Sequence, residues 1–127
     1  MTSRKMTAFG AVALFALVGA AAQAADVEVR CEKRSNRSRA SVDADNLRSG
    51  LYRAVLKSGT RIATTQYQPS VGDEAQFDFD SNQGDVAEGA TPIGPNFIVD
   101  GRIRGYVVNA DNVRVTPIVT AICQVRR

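Results

Sequence analysis

Apolar and polar residues alternate through most of the chain, as they do in strands with one face in a core and the other in water. Val27, Val29 and Cys31 alternate with Glu28, Arg30 and Glu32, and Ala40, Val42 and Ala44 with Ser41, Asp43 and Asp45. Tyr52, Ala54 and Leu56 alternate with Arg53, Val55 and Lys57, where Val55 interrupts the polar face. A further run covers 61 to 67, and Ala75, Phe77 and Phe79 then alternate with Gln76, Asp78 and Asp80. The longest run comes last: Val113, Val115, Val119, Ala121, Cys123 and Val125 all sit on odd positions, with Pro117 among them. Proline donates no ladder bond, so this run predicts an edge strand or one bent into two pieces.

Turn residues separate the runs at Arg48 to Gly50, Ser58 to Gly59, Val71 to Asp73, Ser81 to Gly84 and Asn109 to Asn112. Short strands at such spacing predict an all-β fold, a small antiparallel sandwich of about seven strands with immunoglobulin-like layering. The likeness is one of layers only, because the chain has no tryptophan. No segment beyond the N-terminus has a helical period, and Gly89 to Pro95 reads as an extended surface loop.

The N-terminus breaks the pattern. Arg4 and Lys5 precede an uncharged stretch rich in Ala, Leu and Val that ends at Ala22, Gln23 and Ala24. Basic start, apolar centre and small residues at the cut describe a secretory signal peptide over 1–24, cleaved before Ala25. The competing reading is an uncleaved anchor from Met6 to Ala25, which its weak hydrophobicity disfavours. The expected product is one domain over 25–127, without a membrane span, in the periplasm or outside the cell. Export makes a disulfide between Cys31 and Cys123 the default, tying the first strand to the last. The two cysteines are far apart in sequence, so they form no redox motif.

The chain of 127 residues carries a net charge of +3, but losing Arg4 and Lys5 takes its 16 basic residues to 14 against 13 acidic. That near-neutrality gives no reason to expect nucleic acid as a partner. Charge is instead segregated along the sequence. Asp73 to Asp100 holds seven acids and no base, and the segments on either side are net basic.

Within the acidic stretch, Asp78, Asp80, Asn82, Asp85 and Glu88 form a candidate calcium ligand set, since calcium gathers several oxygens from carboxylates and amides. The match to a helical calcium loop fails at Gln83 and Gly89, which stand where glycine and glutamate are required. A solvated strand face with an Asx turn explains the same residues. The basic stretch Arg30, Lys33, Arg34, Arg37 and Arg39 is a candidate polyanion site, although Glu28 and Glu32 interrupt it and alternation splits it over two faces. Asn36, Arg37 and Ser38 form a glycosylation sequon, relevant only in a eukaryote.

Catalysis finds little support. The chain has no histidine, so the usual triads and imidazole metal sites lose their commonest member. The expectation is therefore a non-enzymatic protein without a cofactor, calcium aside, that binds a protein or cell-envelope component. Ile93 and Phe97, apolar residues in the Gly/Pro-rich segment, are the expected contact surface.

Overall fold

A computed structural model describes residues 25–126, so the expected signal peptide lies outside the described residues. The fold is all-β, in two five-stranded sheets arranged like a sandwich. Its strands are β1 (Asp26–Arg34), β2 (Arg37–Asp45), β3 (Leu51–Ser58), β4 (Arg61–Thr64), β5 (Gln68–Pro69), β6 (Ala75–Asp80), β7 (Thr91–Pro92), β8 (Arg102–Asn109), β9 (Val119–Ile122) and β10 (Gln124–Val125). One short helix, α1 (Gln83–Ala87), follows β6. The first sheet runs β10-β1-β2-β6-β7 and the second β9-β8-β3-β4, with β5 also paired to β3.

The predicted alternation sets the faces. Val29, Val42, Ala44, Phe77 and Phe79 of the first sheet meet Tyr52, Ala54, Leu56, Ile103 and Val107 of the second in one core cluster. The sheets approach closely at Gly105, where an added Cβ would lie 3.0 Å from a Val29 methyl and 3.1 Å from a Val42 methyl. A side chain there would have to displace packed core atoms. Buried hydroxyls complete the ladders where strands give out. Thr65 Oγ1 accepts the Ala54 N–H and Thr116 Oγ1 accepts the Val107 N–H, both at 3.0 Å. Thr116 thus serves the backbone immediately before Pro117, which cannot.

Cys31 and Cys123 form the expected disulfide across a sequence separation of 92. By chain-entropy reasoning, closing such a loop stabilises the fold by about 4 to 5 kcal/mol. After the bridge the chain crosses sheets: β9 ends on the second, and β10 joins the first beside β1.

Three details differ from the sequence expectation. There are ten strands among the described residues, several of only two residues. The sheets are not wholly antiparallel, because β10 pairs with β1 and β7 with β6 in parallel. Both are two-residue pairings at sheet edges, made by segments that arrive from a crossing or a helix rather than a hairpin. The helix itself lacks any apolar period, since none of its residues is buried. It is nucleated by Asn82, whose side chain accepts the Asp85 N–H as an N-cap.

Candidate functional site

The acidic turn is organised by an arginine. Arg37, at the start of β2, donates to both Asp80 carboxylate oxygens, Nε to Oδ1 at 2.9 Å and Nη2 to Oδ2 at 2.7 Å. The same Nη2 donates to Asp85 Oδ2 at 2.7 Å, and the Asn82 N–H donates to Asp80 Oδ1 at 2.9 Å. Antiparallel pairing of β2 with β6 sets Arg39 opposite Asp80, so Arg37 lies beyond the end of β6, over the turn. Asp80 is 4% exposed. Burial alone would raise its pKa, but the hydrogen bonds from Arg37 and Asn82, with the charges of Arg37 and Arg39, outweigh it and hold it below the ordinary carboxylate value.

The proposed calcium ligands therefore divide. Asp80, Asn82 and Asp85 are brought together, with a guanidinium between the two carboxylates. Asp78 sits further along β6, opposite Ser41, and Glu88 caps the far end of α1 through its backbone N–H. Among the described residues, no three acidic or thiol side chains converge as a metal site requires.

The basic segment 30–39 is engaged in the same way. Arg30 pairs with Asp43 at 2.9 Å, Arg34 and Arg39 face Glu32, and Arg37 holds the turn. Arg126 closes on Glu32 at 2.6 Å. Burial pushes the Asp43 carboxyl up despite the hydrogen bond and charge of Arg30. A concavity of about 1630 Å³, open to solvent, is lined in part by Arg30, Glu32, Arg39, Asp43 and Arg126. Its charges are thus largely spent on one another. The expected contact loop also turns inward: Phe97 is buried in the core cluster and Ile93 is half-buried against it. The segment is held there by Ser38, whose hydroxyl donates to the Pro95 carbonyl at 2.7 Å.

The second sheet is electrically different. Strands β1, β2 and β6 of the first sheet hold seven acidic and five basic residues. The strands of the second hold no acid and five bases, namely Arg53, Lys57, Arg61, Arg102 and Arg104. Every ion pair among the described residues belongs to the first sheet and its flanking segments.

Register gathers four of those cations on the outer face. The residues Tyr52, Ala54 and Leu56 of β3 and Ile103 and Val107 of β8 point into the core, so Arg53, Lys57, Arg102 and Arg104 point out. Lys57 stands directly opposite Arg104, and Arg102 is two residues on, about 7 Å away along β8. Tyr106 lies between the charges, with Lys57 Nζ 5.6 Å from its ring centre; Arg53 sits 4.7 Å over Tyr67 and donates to Asn112 at 2.9 Å. Val55 and Val108 are buried on this outer side, yet belong to no part of the core cluster. The face ends at each edge on an exposed isoleucine: Ile122 of β9 opposite Arg102 and Ile62 of β4 opposite Lys57.

Sequence reasoning missed this constellation because its residues come from distant segments. The available signal was the net basic character on either side of the acidic stretch, with Arg53, Lys57, Arg102 and Arg104 at alternate positions. No protein-family model matches the chain, and neither a curated protein nor a solved structure matches it.

Proposed function

We propose that the protein is exported after cleavage before Ala25 and acts outside the cytoplasm as a non-enzymatic, immunoglobulin-like sandwich that binds a protein or cell-envelope component. The observation that carries this reading is the outer face of the second sheet, where four cations, two tyrosines and two exposed isoleucines lie together without an acidic partner. Unpaired charge of one sign beside exposed apolar side chains is what a recognition surface presents before its partner arrives. The Cys31–Cys123 disulfide suits an oxidising compartment. Among the described residues no helix is long and apolar enough to cross a membrane. The layering is supported by Tyr52, whose hydroxyl donates to the Arg48 carbonyl at 2.7 Å, a short-range corner of the kind that braces immunoglobulin-like sandwiches.

The test has two arms. The full chain is expressed in a bacterial host, the cells are fractionated, and the intact mass of the product is measured. Export predicts an envelope or medium fraction with residues 1–24 removed and both thiols oxidised; a reduced, full-length product in the cytoplasm refutes it. The recovered protein is then incubated with isolated cell envelopes beside Lys57→Glu/Arg104→Glu. Retention of the parent and loss of the variant is the expected outcome, and equal behaviour of the two refutes the face.

A further inference from the structure

Resting on that binding face, we infer that its partner is the anionic lipid surface of a membrane, against which the second sheet lies flat. Three features of the face converge on that chemistry.

The first is repulsion left standing by the fold. Lys57 and Arg104 are directly opposed across β3 and β8, and Arg102 adjoins them on the same face. Like charges directly opposite destabilise a sheet, and no carboxylate on these strands offsets them. Phosphate headgroups relieve that repulsion; folding alone gains nothing from it.

The second is the apolar rim. Ile122 and Ile62 are 80% and 63% exposed, and register places each directly beside one of the cations, at opposite edges of the sheet. A bilayer takes up both chemistries at once, cations at the phosphates and aliphatic side chains in the interfacial layer, while the long stems of Lys and Arg cover apolar surface between them. A soluble polysaccharide would leave both isoleucines in water. Bases of a nucleic acid stack on open aromatic faces, whereas a face of Tyr67 and one of Tyr106 already carry Arg53 and Lys57.

The third is orientation. The seven acidic residues of the first sheet lie in the opposite layer of the sandwich. An anionic surface therefore draws the second sheet, whose strands hold five bases and no acid, more strongly than the first, where seven acids stand among five bases, which fixes how it docks.

The test is co-sedimentation of the disulfide-bonded protein with vesicles of phosphatidylcholine, with and without phosphatidylglycerol. Binding is expected only with phosphatidylglycerol, and it should fall as salt is added. Lys57→Glu/Arg104→Glu should lose at least about tenfold in partitioning, Ile62→Ser/Ile122→Ser should lose several-fold, and Lys33→Glu/Arg34→Glu, on the other sheet, should lose less than either. Thermal melts of all variants establish that each is folded, and Lys57→Gln/Arg104→Gln replaces the reversal if that one is not. No binding to phosphatidylglycerol vesicles, or equal binding by the reversed variant, overturns the inference. Binding to soluble dextran sulfate that matches vesicle binding and ignores the isoleucine changes overturns it in favour of a polyanion. Failure here with retained, charge-dependent binding to whole envelopes would leave the broader binding function standing and remove only the lipid.

Discussion

Replacing Asp80 by asparagine should be among the most damaging single polar changes in the protein, and its size follows from the clamp around it. Asp80 is nearly sealed from solvent, while the Arg37 side chain is 21% exposed and that of Asp85, the second acceptor, 44%. Removing one member of a sealed ion pair costs about 3 to 5 kcal/mol, because the survivor stays buried without its counterion. Arg37 keeps Asp85 and some water, so about 2 to 3 kcal/mol is expected, a fall in melting midpoint of roughly 10 to 20 °C for a domain of this size. Arg37→Met should cost at least as much, since it strands the more deeply buried partner. The double change Arg37→Met/Asp80→Asn should cost less than the two single losses together, with a coupling of about 1.5 to 3 kcal/mol. Thermal and urea melts of the four proteins close the cycle, and each melt is run in chelator and in calcium. A loss under about 0.5 kcal/mol for Asp80→Asn, or strict additivity, refutes the clamp. So does a calcium-specific rise in the parent's midpoint, because a cation could bind these oxygens only by displacing the guanidinium.

Other predictions concern the rest of the frame. Cys31→Ala/Cys123→Ala should lose about 2 to 5 kcal/mol in urea melts, and a loss near zero would mean that the bridge does not constrain the unfolded chain. Gly105→Val forces a branched side chain against Val29 and Val42 and should cost about 1 to 3 kcal/mol, whereas unchanged stability would show that the two sheets can part there without penalty. The pH dependence has two components of opposite sign. Asp80, with its folded pKa lowered, contributes stability that is present above its unfolded pKa and lost as the pH falls through the folded value. Asp43, with its folded pKa raised, contributes stability that is full below its unfolded pKa and lost as the pH rises through the folded value. Asp80→Asn should therefore flatten the acid limb of a stability profile and Asp43→Asn should steepen it; the reverse would contradict the assigned directions.

Period two made most of the fold legible. It placed the inward residues of β1, β2, β3 and β6 correctly, and Val119, Ala121 and Cys123 of the last run all turn inward or pack on the core. Pro117 divided that run, as a residue without an N–H must. The central strand β8 escaped, although Ile103 and Val107 alternate with Arg102, Arg104 and Tyr106. Gly105 removes one inward signal and Val108 adds a false outward one, so the alternation fades in this closely packed strand. The inward turn of Phe97 depends on Ser38 and the core below it, contacts of long sequence separation that no local pattern encodes.

The polar residues were legible by composition and not by pairing. The sequence shows an acidic turn and a basic segment as separate features, each a candidate ligand site. Antiparallel register then folds one onto the other, and Arg37 meets Asp80 and Asp85 at sequence separations of 43 and 48, across strands whose connection runs through the other sheet. The charges that local sequence made conspicuous neutralise one another. Those it scattered among apolar residues, at 53, 57, 102 and 104, have no acidic partner among the described residues.

The central claim, that the second sheet's outer face is the binding surface, is tested most directly by mapping backbone amide shifts of isotope-labelled protein as dispersed, short-chain phosphatidylglycerol is titrated in. The perturbed amides should cluster on β3, β8 and the edge strands, at Arg53, Lys57, Arg102, Arg104, Tyr106, Ile62 and Ile122, with Arg30 to Arg39 unmoved. Shifts centred on the acidic turn or on β1 and β2, with β3 and β8 silent, would contradict it.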